Sequence, residues 1–488
     1  MHLHSLKPLA GLLFSVLWLS SCGQQDVSNV KVIRPSQEET SALVADLAAG
    51  RPHELRAPTG GPSTPLTPGQ MSAECRSFLS MYGNTIKHDW IEVPESWDDA
   101  KSPKIKVFYY YRKDTDSSFK DPVVFFNGGP AGSSHSSYSV LQGAASQHNL
   151  SFVYLDQRGT GCSDGYPVEV TATGMKRLQQ YASRSIVRDA EAIRVKLLGE
   201  KQRWHSFGQS YGGYITHRYV EEAPQGLTGA FAHGSSLMAD TIEWITLRLL
   251  SQKRIVEEYF AKYPGDRDII TKARSQISDK KCFTDEESTI CGSGVLDAAV
   301  ILLAFRNSWP TLHSNLSRIL DSNGRINEAF LERWVSQLVF GVFANNAMPA
   351  SAIWETENGI DPFDATDISY CHRVTQRLVE RGEKPDTWDL NECRVLGGLK
   401  SPFDRLIGAI EKRDTFNLQN VEQSLSKHAE LPFHLYAGEM DPVVPIETFT
   451  EEVKQLGERI RFTQFPTSGH EGFYTEKQVW KDLVDGHK

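Results

Sequence analysis

From about residue 84 the chain alternates short apolar runs that stop at glycine-containing turns with stretches of helical periodicity, and this alternation restricts the fold more than any other feature. "HDWIEVP" and "KIKVFYYYRK" read as strands, and "PVVFFNGG" and "LSFVYLDQRG" are continuous apolar runs of the kind that suits strands covered on both faces. "RSIVRDAEAIRVKLLG" then sets Ile186, Ala190, Ile193 and Leu197 at helical spacing, with Ser185 able to cap the start and Gly199 the end. A strand, "RWHSFGQS", a helix, "YGGYITHRYVEEAP", that stops before Pro224, and another strand, "LTGAFAHGSS", follow. The pattern predicts an α/β fold with a mainly parallel central sheet and helices on both faces.

Between about 236 and 425 the alternation is lost. "TIEWITLRLLSQKRIVEEYFAKY" and "VLDAAVILLAFRNSW" read as helices, with no strongly apolar strand run between them. The strand signal returns at "LPFHLYAGEMDPVVP", followed by a helix near 447–456, the strand "RIRFTQFP" and a last helix near 475–485. The expected organisation is a core made of 76–235 and 426–488, with a helical cap, 236–425, inserted between the sixth and seventh core strands. Such a cap would roof the carboxyl ends of the strands, where open α/β sheets place their sites.

The first 22 residues carry one lysine, an apolar run from Leu9 to Leu19, and small residues ending at Cys22. That run is too short to cross a bilayer as a mature helix and reads as a signal-peptide core. "LSSC" resembles the lipobox of bacterial lipoproteins, which implies export to a bacterial cell envelope and a lipid anchor on Cys22. Gly23 and Gln24 follow without the aspartate that favours inner-membrane retention, which points to the outer membrane. Residues 23–75 are polar and turn-rich and are expected to be a flexible tether.

An oxidising compartment makes disulfides plausible for the six remaining cysteines, with Cys282 and Cys291, and Cys371 and Cys393, as close sequence pairs. No cysteine or histidine cluster has zinc spacing, so no metal site is expected. A formal net charge of -9 supplies no basic field for phosphate backbones, which argues against nucleic acid as a partner.

The chemistry begins at "GQSYGG". Here G-x-S-x-G, with a strand before and a helix after, has the form of a nucleophile elbow with Ser210 at its tip. A serine hydroxyl needs a base and an acid to orient that base. Asp441 in "YAGEMDPVVP" and His470 in "FPTSGHEGF" follow in the chain order the elbow demands, each just past a strand end. Glu439 competes for the acid's role from inside the turn. His205 and His233, near strand positions, read as core histidines. Two N–H donors are needed for the developing oxyanion. One is the backbone N–H of Tyr211; for the other, Gly129 is chosen from "NGGPAGSS", a loop without the lysine and spacing of a phosphate-binding P-loop.

Together, "NGGPAGSS", "LDQRGTGCS" and "GQSYGG" resemble the HGGPG loop, the DQRGxGxS motif and the elbow of the proline iminopeptidase and tripeptidyl aminopeptidase family. With Asp441 and His470 the likeness covers roughly 84–240 and 425–485. It implies the α/β-hydrolase fold with a helical cap, and a serine exopeptidase that removes N-terminal residues from short peptides without metal or organic cofactor. Asn127 stands where the family has histidine, and Ala131 where it has its last loop glycine. The resemblance further implies cap glutamates for the substrate ammonium, for which "ASAIWETENG" offers Glu355, the favoured one, and Glu357, beside Trp354. Arg158 and Asp156 are expected to brace the oxyanion loop. An esterase on the same machinery, or a non-catalytic surface binding protein on the same fold, is the alternative.

Overall fold

Short strands, the most apolar of them near the centre and the more polar ones at the edges, assemble into one eight-stranded sheet. The computed structural model describes residues 71–115, 119, 122–167, 172–237, 240–284, 289–338, 353, 357, 370–398, 414 and 417–486. In chain order the strands are β1 (Ile86–Pro94), β2 (Lys104–Arg112), β3 (Pro122–Phe126), β4 (Ser151–Leu155), β5 (Trp204–Gln209), β6 (Leu227–His233), β7 (Cys282–Thr284), β8 (Thr289–Cys291), β9 (Phe433–Gly438) and β10 (Arg461–Phe465). The main sheet runs β1-β2-β4-β3-β5-β6-β9-β10, while β7 and β8 form a separate hairpin. In the main sheet the β1–β2 and β2–β4 pairings are antiparallel and every other pairing is parallel.

This topology fixes where a site can form. From β3 the chain goes to β4 on one side and then to β5 on the other, so the sheet reverses its winding between β3 and β5. At such a switch point the loops leaving two neighbouring strands diverge and open a crevice at the strands' carboxyl ends. The loop after β3 holds "NGGPAGSS" and the turn after β5 holds Ser210.

All residues of β3, β4 and β5 are buried, as the apolar runs of β3 and β4 require for strands covered on both faces. Each of Phe125, Phe126 and Phe207 is fully sequestered, contributing about 2–3 kcal/mol of hydrophobic transfer. Among the helices that cover the sheet are α1 (Ala73–Tyr82), α2 (His135–Gln147), α3 (Ser183–Leu198) and α4 (Tyr211–Glu222). In α4 every residue from Tyr211 to Val220 is buried, including Arg218 and His217, so it is a core helix rather than an amphipathic one. The first residue of α3 is Ser183, two residues before the expected cap Ser185, and the Ser183 N–H is bound at 2.5 Å by the Glu357 carboxylate.

The inserted segment carries α5 (Thr241–Lys262), α6 (Tyr370–Glu380) and α7 (Glu392–Gly398) and builds a second apolar core around Ile255, Tyr259, Leu303, Trp309 and Trp334. It differs from the sequence expectation in three ways. The run Val295–Trp309, read as one helix, falls mostly in a 3-10 helix, Ser293–Ala304. The segment is apolar on nearly every face, so burial selects no 3.6-residue period and the sequence carries no signal between the two windings. The β7–β8 hairpin lies in a region read as free of strands; its strands are three residues long and Cys282 is bonded to Cys291 across it. Finally, Cys371, Val374, Leu378 and Trp388 continue the apolar core beneath the sheet, so part of the insertion packs as an extension of the main domain.

The expected pairing of Cys371 with Cys393 is present, joining α6 to α7, and a third disulfide links Cys75 to Cys162. That third bridge changes the reading of the tether. Residues 71–75, assigned to it by composition, are folded: Ser72 caps α1 and Cys75 is fully buried against the core. Residues 1–70, with Cys22, lie outside the described residues.

Candidate active site

Ser210 sits between β5 and α4 with φ 57° and ψ -123°, a left-handed conformation that a side chain rarely adopts. The glycines around it are dictated by contact. A Cβ at Gly208 would lie 1.9 Å from the Gly212 carbonyl oxygen, and one at Gly212 would lie 1.9 Å from the Phe126 carbonyl oxygen. The turn is fixed by the Ser210 N–H, which donates to His233 O at 2.9 Å, and by Ser210 O, which accepts the first helical bond from Tyr214 at 3.1 Å. Oγ is thereby carried on the rim of the crevice in a half-buried residue.

Asp441 and His470 meet although each lies on its own turn. Nδ1 of His470 is 2.6 Å from Oδ2 of Asp441. The other carboxylate oxygen accepts the N–H groups of Val443 and Val444 at 2.8 and 3.0 Å, so the fully buried acid has one oxygen committed to backbone and one to the ring. An Nδ1–H donated to the acid leaves Nε2 as the proton acceptor of the neutral tautomer. Glu439, the competing acid, is held by its backbone: its N–H donates to Phe465 O, and its carbonyl accepts from Arg254 at 2.8 Å.

His470 is positioned against the Ser210 turn through backbone. Gln209, the residue before the serine, donates from Nε2 to His470 O at 3.5 Å, and a Cβ at Gly234 would stand 3.0 Å from Cε1 of His470. The His470 N–H donates to Ala304 O at 2.9 Å, so the inserted segment holds the histidine turn directly. Among the described residues no hydrogen bond joins Ser210 Oγ to Nε2, and neither atom is among the sealed unpartnered polar atoms. Bonds of this kind commonly tighten only when substrate is bound.

The loop after β3 closes over the serine. Gly128 approaches so nearly that a Cβ on it would lie 3.0 Å from the Ser210 Cβ, and Gly129 has φ +139°, with Gly132 N and Ala131 N within 2.8 Å of where its Cβ would be. The Tyr211 N–H, at the first position of α4, has no intrahelical acceptor. Asn127, at the family's histidine position, ties the loop to itself: its amide donates to Ser133 O at 2.6 Å and its oxygen accepts from Ser137 Oγ at 2.6 Å.

Several residues take roles that sequence reasoning did not give them. Asp156 does brace the loop, accepting from Ser134 N and Oγ. Arg158 does not: it forms a buried bidentate pair with Asp189 at 2.6 and 2.7 Å and binds the Glu95 and Gln180 carbonyls, joining the turn after β4 to α3. Burial raises the Asp189 pKa in spite of that pairing. Gln157, unremarked in the motif, donates to Asn127 O at 2.8 Å. Glu357 is buried, and both its carboxylate oxygens are engaged within the protein, by Ser183 N at 2.5 Å, Tyr211 Oη at 3.0 Å and Arg218 at 3.3 Å. Trp354 and Glu355 lie outside the described residues. His205 and His233 are buried core residues as expected. Burial, with a further contribution from His470, pushes His233 down to about 3, which keeps it neutral beside the Asp441–His470 pair.

A family model for the alpha/beta hydrolase fold matches residues 121–274, which include the Ser210 turn and the loop after β3. The chain is 32% identical over 133 residues to a proline iminopeptidase of Lactobacillus helveticus (strain DPC 4571), covering 26% of this chain and 40% of that one. It is 30% identical over 132 residues to a proline iminopeptidase of Aeromonas sobria, covering 25% and 30%. The match thus spans about 40% of the length of the first of these curated relatives. Among solved structures, an acetylester hydrolase from Corynebacterium glutamicum superposes with a TM-score of 0.46 at 11% identity, over 84% of this chain and 98% of that one. An alpha/beta hydrolase enzyme from a Medee basin deep-sea metagenome library gives a TM-score of 0.39 at 14% identity, over 78% and 94%. The fold is that of the α/β-hydrolases.

Proposed function

On this α/β-hydrolase fold, we propose that the chain is a serine hydrolase acting as an aminopeptidase on short peptides, with Ser210, His470 and Asp441 as its catalytic residues. The observation that carries the reading is the Asp441–His470 pair at 2.6 Å, set beside a serine on a strained elbow. In the proposed reaction Nε2 of His470 takes the hydroxyl proton as Ser210 Oγ bonds to the scissile carbonyl carbon. Asp441 holds the imidazole and stabilises its charged form. The N–H groups of Gly129 and Tyr211 receive the oxyanion. His470 then gives the proton to the leaving amine as the C–N bond breaks, and water, deprotonated by the same imidazole, hydrolyses the acyl-enzyme.

The peptidase assignment draws on the partial likeness to proline iminopeptidases. It places the receptor for the substrate ammonium at Glu355, with Trp354 beside it, under a cap made by 236–425. The esterase reading is favoured by one observation: Glu357, the second candidate receptor, already has both oxygens bound within the protein. Parallel assays of free-amine and N-blocked aminoacyl reporters separate the two. Preference for the free amine supports the aminopeptidase, and equal rates sink it in favour of the esterase. Labelling of Ser210 by a fluorophosphonate tests the nucleophile itself; a folded protein that resists the probe would be a binding protein.

The same proposal includes export and lipid attachment at Cys22, with the chain held at the bacterial envelope by that anchor, at the outer membrane or on the periplasmic face. Incorporation of a labelled fatty acid that disappears in Cys22→Ser is the expected result.

A further inference from the structure

The oxyanion loop is gripped from a side that the proposed reaction does not touch. Ser133, Ser134 and His135, at the loop's far end, face two carboxylates from distant parts of the chain. Asp156, after β4, accepts from Ser134 N and Oγ at 2.9 and 2.7 Å and from Cys162 N at 2.9 Å. Its Oδ2 also lies 2.8 Å from Nε2 of His135, as an ion pair off the line of a hydrogen bond. Glu74, in the first turn of α1, accepts from Ser133 Oγ at 2.5 Å and from Nδ1 of His135 at 3.1 Å. The imidazole stacks on Phe78 of the same helix, with ring centroids 3.8 Å apart and planes 4° from parallel.

The helix that carries Glu74 and Phe78 is itself pinned beside the loop. Cys75, the residue after Glu74, is bonded to Cys162, and Ser72 Oγ donates to Gly161 O at 2.9 Å. His135, Asp156 and Cys162 bring their ligand atoms within 4.8 Å of one another, but the Cys162 sulfur is committed to the disulfide and the ring lies between two carboxylates. The cluster is a clamp, not a cation site.

We propose that α1 is a positioning element for the oxyanion loop: Glu74, oriented by the Cys75–Cys162 disulfide, fixes Ser133 and His135, and through them the loop that carries Gly129, so turnover depends on this carboxylate and this disulfide. The inference rests on the reading of Ser210 as nucleophile and of Gly129 as oxyanion donor. Glu74 and His135 act only through the loop.

A pH dependence follows from the clamp. Burial alone would lower the pKa of His135, but the charge of the adjacent Asp156 carboxylate, followed by Glu74, pushes it up to about 9. The other groups facing the ring are the phenol of Tyr110, which burial shifts above its ordinary value, uncharged Phe78 and Phe108, and the Cys162 disulfide. His135 is therefore an imidazolium below about pH 9, and raising the pH through that value releases the grip.

The experiment uses the full-length chain and its Glu74→Gln, Cys75→Ser/Cys162→Ser and Cys282→Ser/Cys291→Ser variants. Hydrolysis of a p-nitrophenyl ester is followed across pH, with thermal midpoints and an NMR titration of the His135 ring in parallel. Glu74→Gln should lower kcat roughly three- to tenfold with KM nearly unchanged, and move both the alkaline limb of kcat and the His135 titration down by about one pH unit. Loss of the Cys75–Cys162 bridge should lower kcat about tenfold, whereas loss of the distant hairpin bridge should leave it unchanged. The proposal is overturned if Glu74→Gln, folded and with normal KM, keeps wild-type kcat and an unmoved alkaline limb, or if His135 titrates near its ordinary value in the wild type. A wild-type protein that fails to react with a fluorophosphonate removes instead the underlying reading of Ser210, while the NMR titration still decides whether Glu74 holds His135.

Discussion

Asp441 binds His470 with one carboxylate oxygen, at 2.6 Å from Nδ1, while its other oxygen is held by the N–H groups of Val443 and Val444. An asparagine there would fit the same space, but an amide NH2 turned toward the ring would favour the tautomer protonated on Nε2, which cannot accept the serine proton. We expect Asp441→Asn to lower kcat about 10^3- to 10^4-fold near pH 7, with a thermal midpoint close to the wild type. Steady-state turnover with circular dichroism checks both; retained activity would remove Asp441 from the mechanism.

The elbow glycines are expected to be matters of folding rather than chemistry. A methyl group at Gly212 would collide with the Phe126 carbonyl oxygen at 1.9 Å, and that oxygen is backbone of a central strand that cannot yield. Gly212→Ala should therefore destabilise the protein by about 3 kcal/mol or more, seen as a lower denaturant midpoint or as insoluble protein. An alanine variant of wild-type stability would contradict this geometry.

Glu357 offers a separate test of the site. Its carboxylate faces buried Arg218 as well as Ser183 N and Tyr211 Oη, so truncation leaves a guanidinium in the core with fewer partners. Glu357→Ala should destabilise by about 3 kcal/mol, while the KM for free-amine reporters changes little. A large rise in KM at unaltered stability would instead make Glu357 the ammonium receptor.

Two histidines shape stability against pH in opposite directions. His233 is pushed down to about 3, so its contribution is complete above its unfolded value of 6.5 and is lost as pH falls through about 3. His135 is pushed up to about 9, so its contribution is complete below 6.5 and is lost as pH rises through about 9. Stability should peak near pH 6.5, and His233→Leu should flatten the limb between about pH 3 and 6.5. Urea midpoints across pH measure both; an unaltered acid limb in the variant would refute the assignment to His233.

Much of the fold was legible because the information is local. Strands β3 and β4 are almost entirely apolar, and each ends where a glycine or polar turn interrupts the run, so a window of a few residues identifies them. Gly208, Ser210 and Gly212 were equally legible, since the elbow is a five-residue G-x-S-x-G pattern standing between a strand and a helix. The 3-10 winding of Ser293–Ala304 was not, because a segment apolar all round has no period to read. The membership of residues 71–75 in the folded domain was hidden too: it is set by Cys162, 87 residues further along.

The sequence by itself determined the alternation of elements and the residue types standing at the ends of β5, β9 and β10. Those features depend on side-chain periodicity and turn chemistry, which act over a few residues. Only the tertiary structure decided which acid faces His470, that Glu357 turns inward to Arg218, and that Glu74 of α1 reaches the loop after β3. Each is a pairing of groups far apart in the chain, brought together by packing across the sheet, so no sequence window contains both partners.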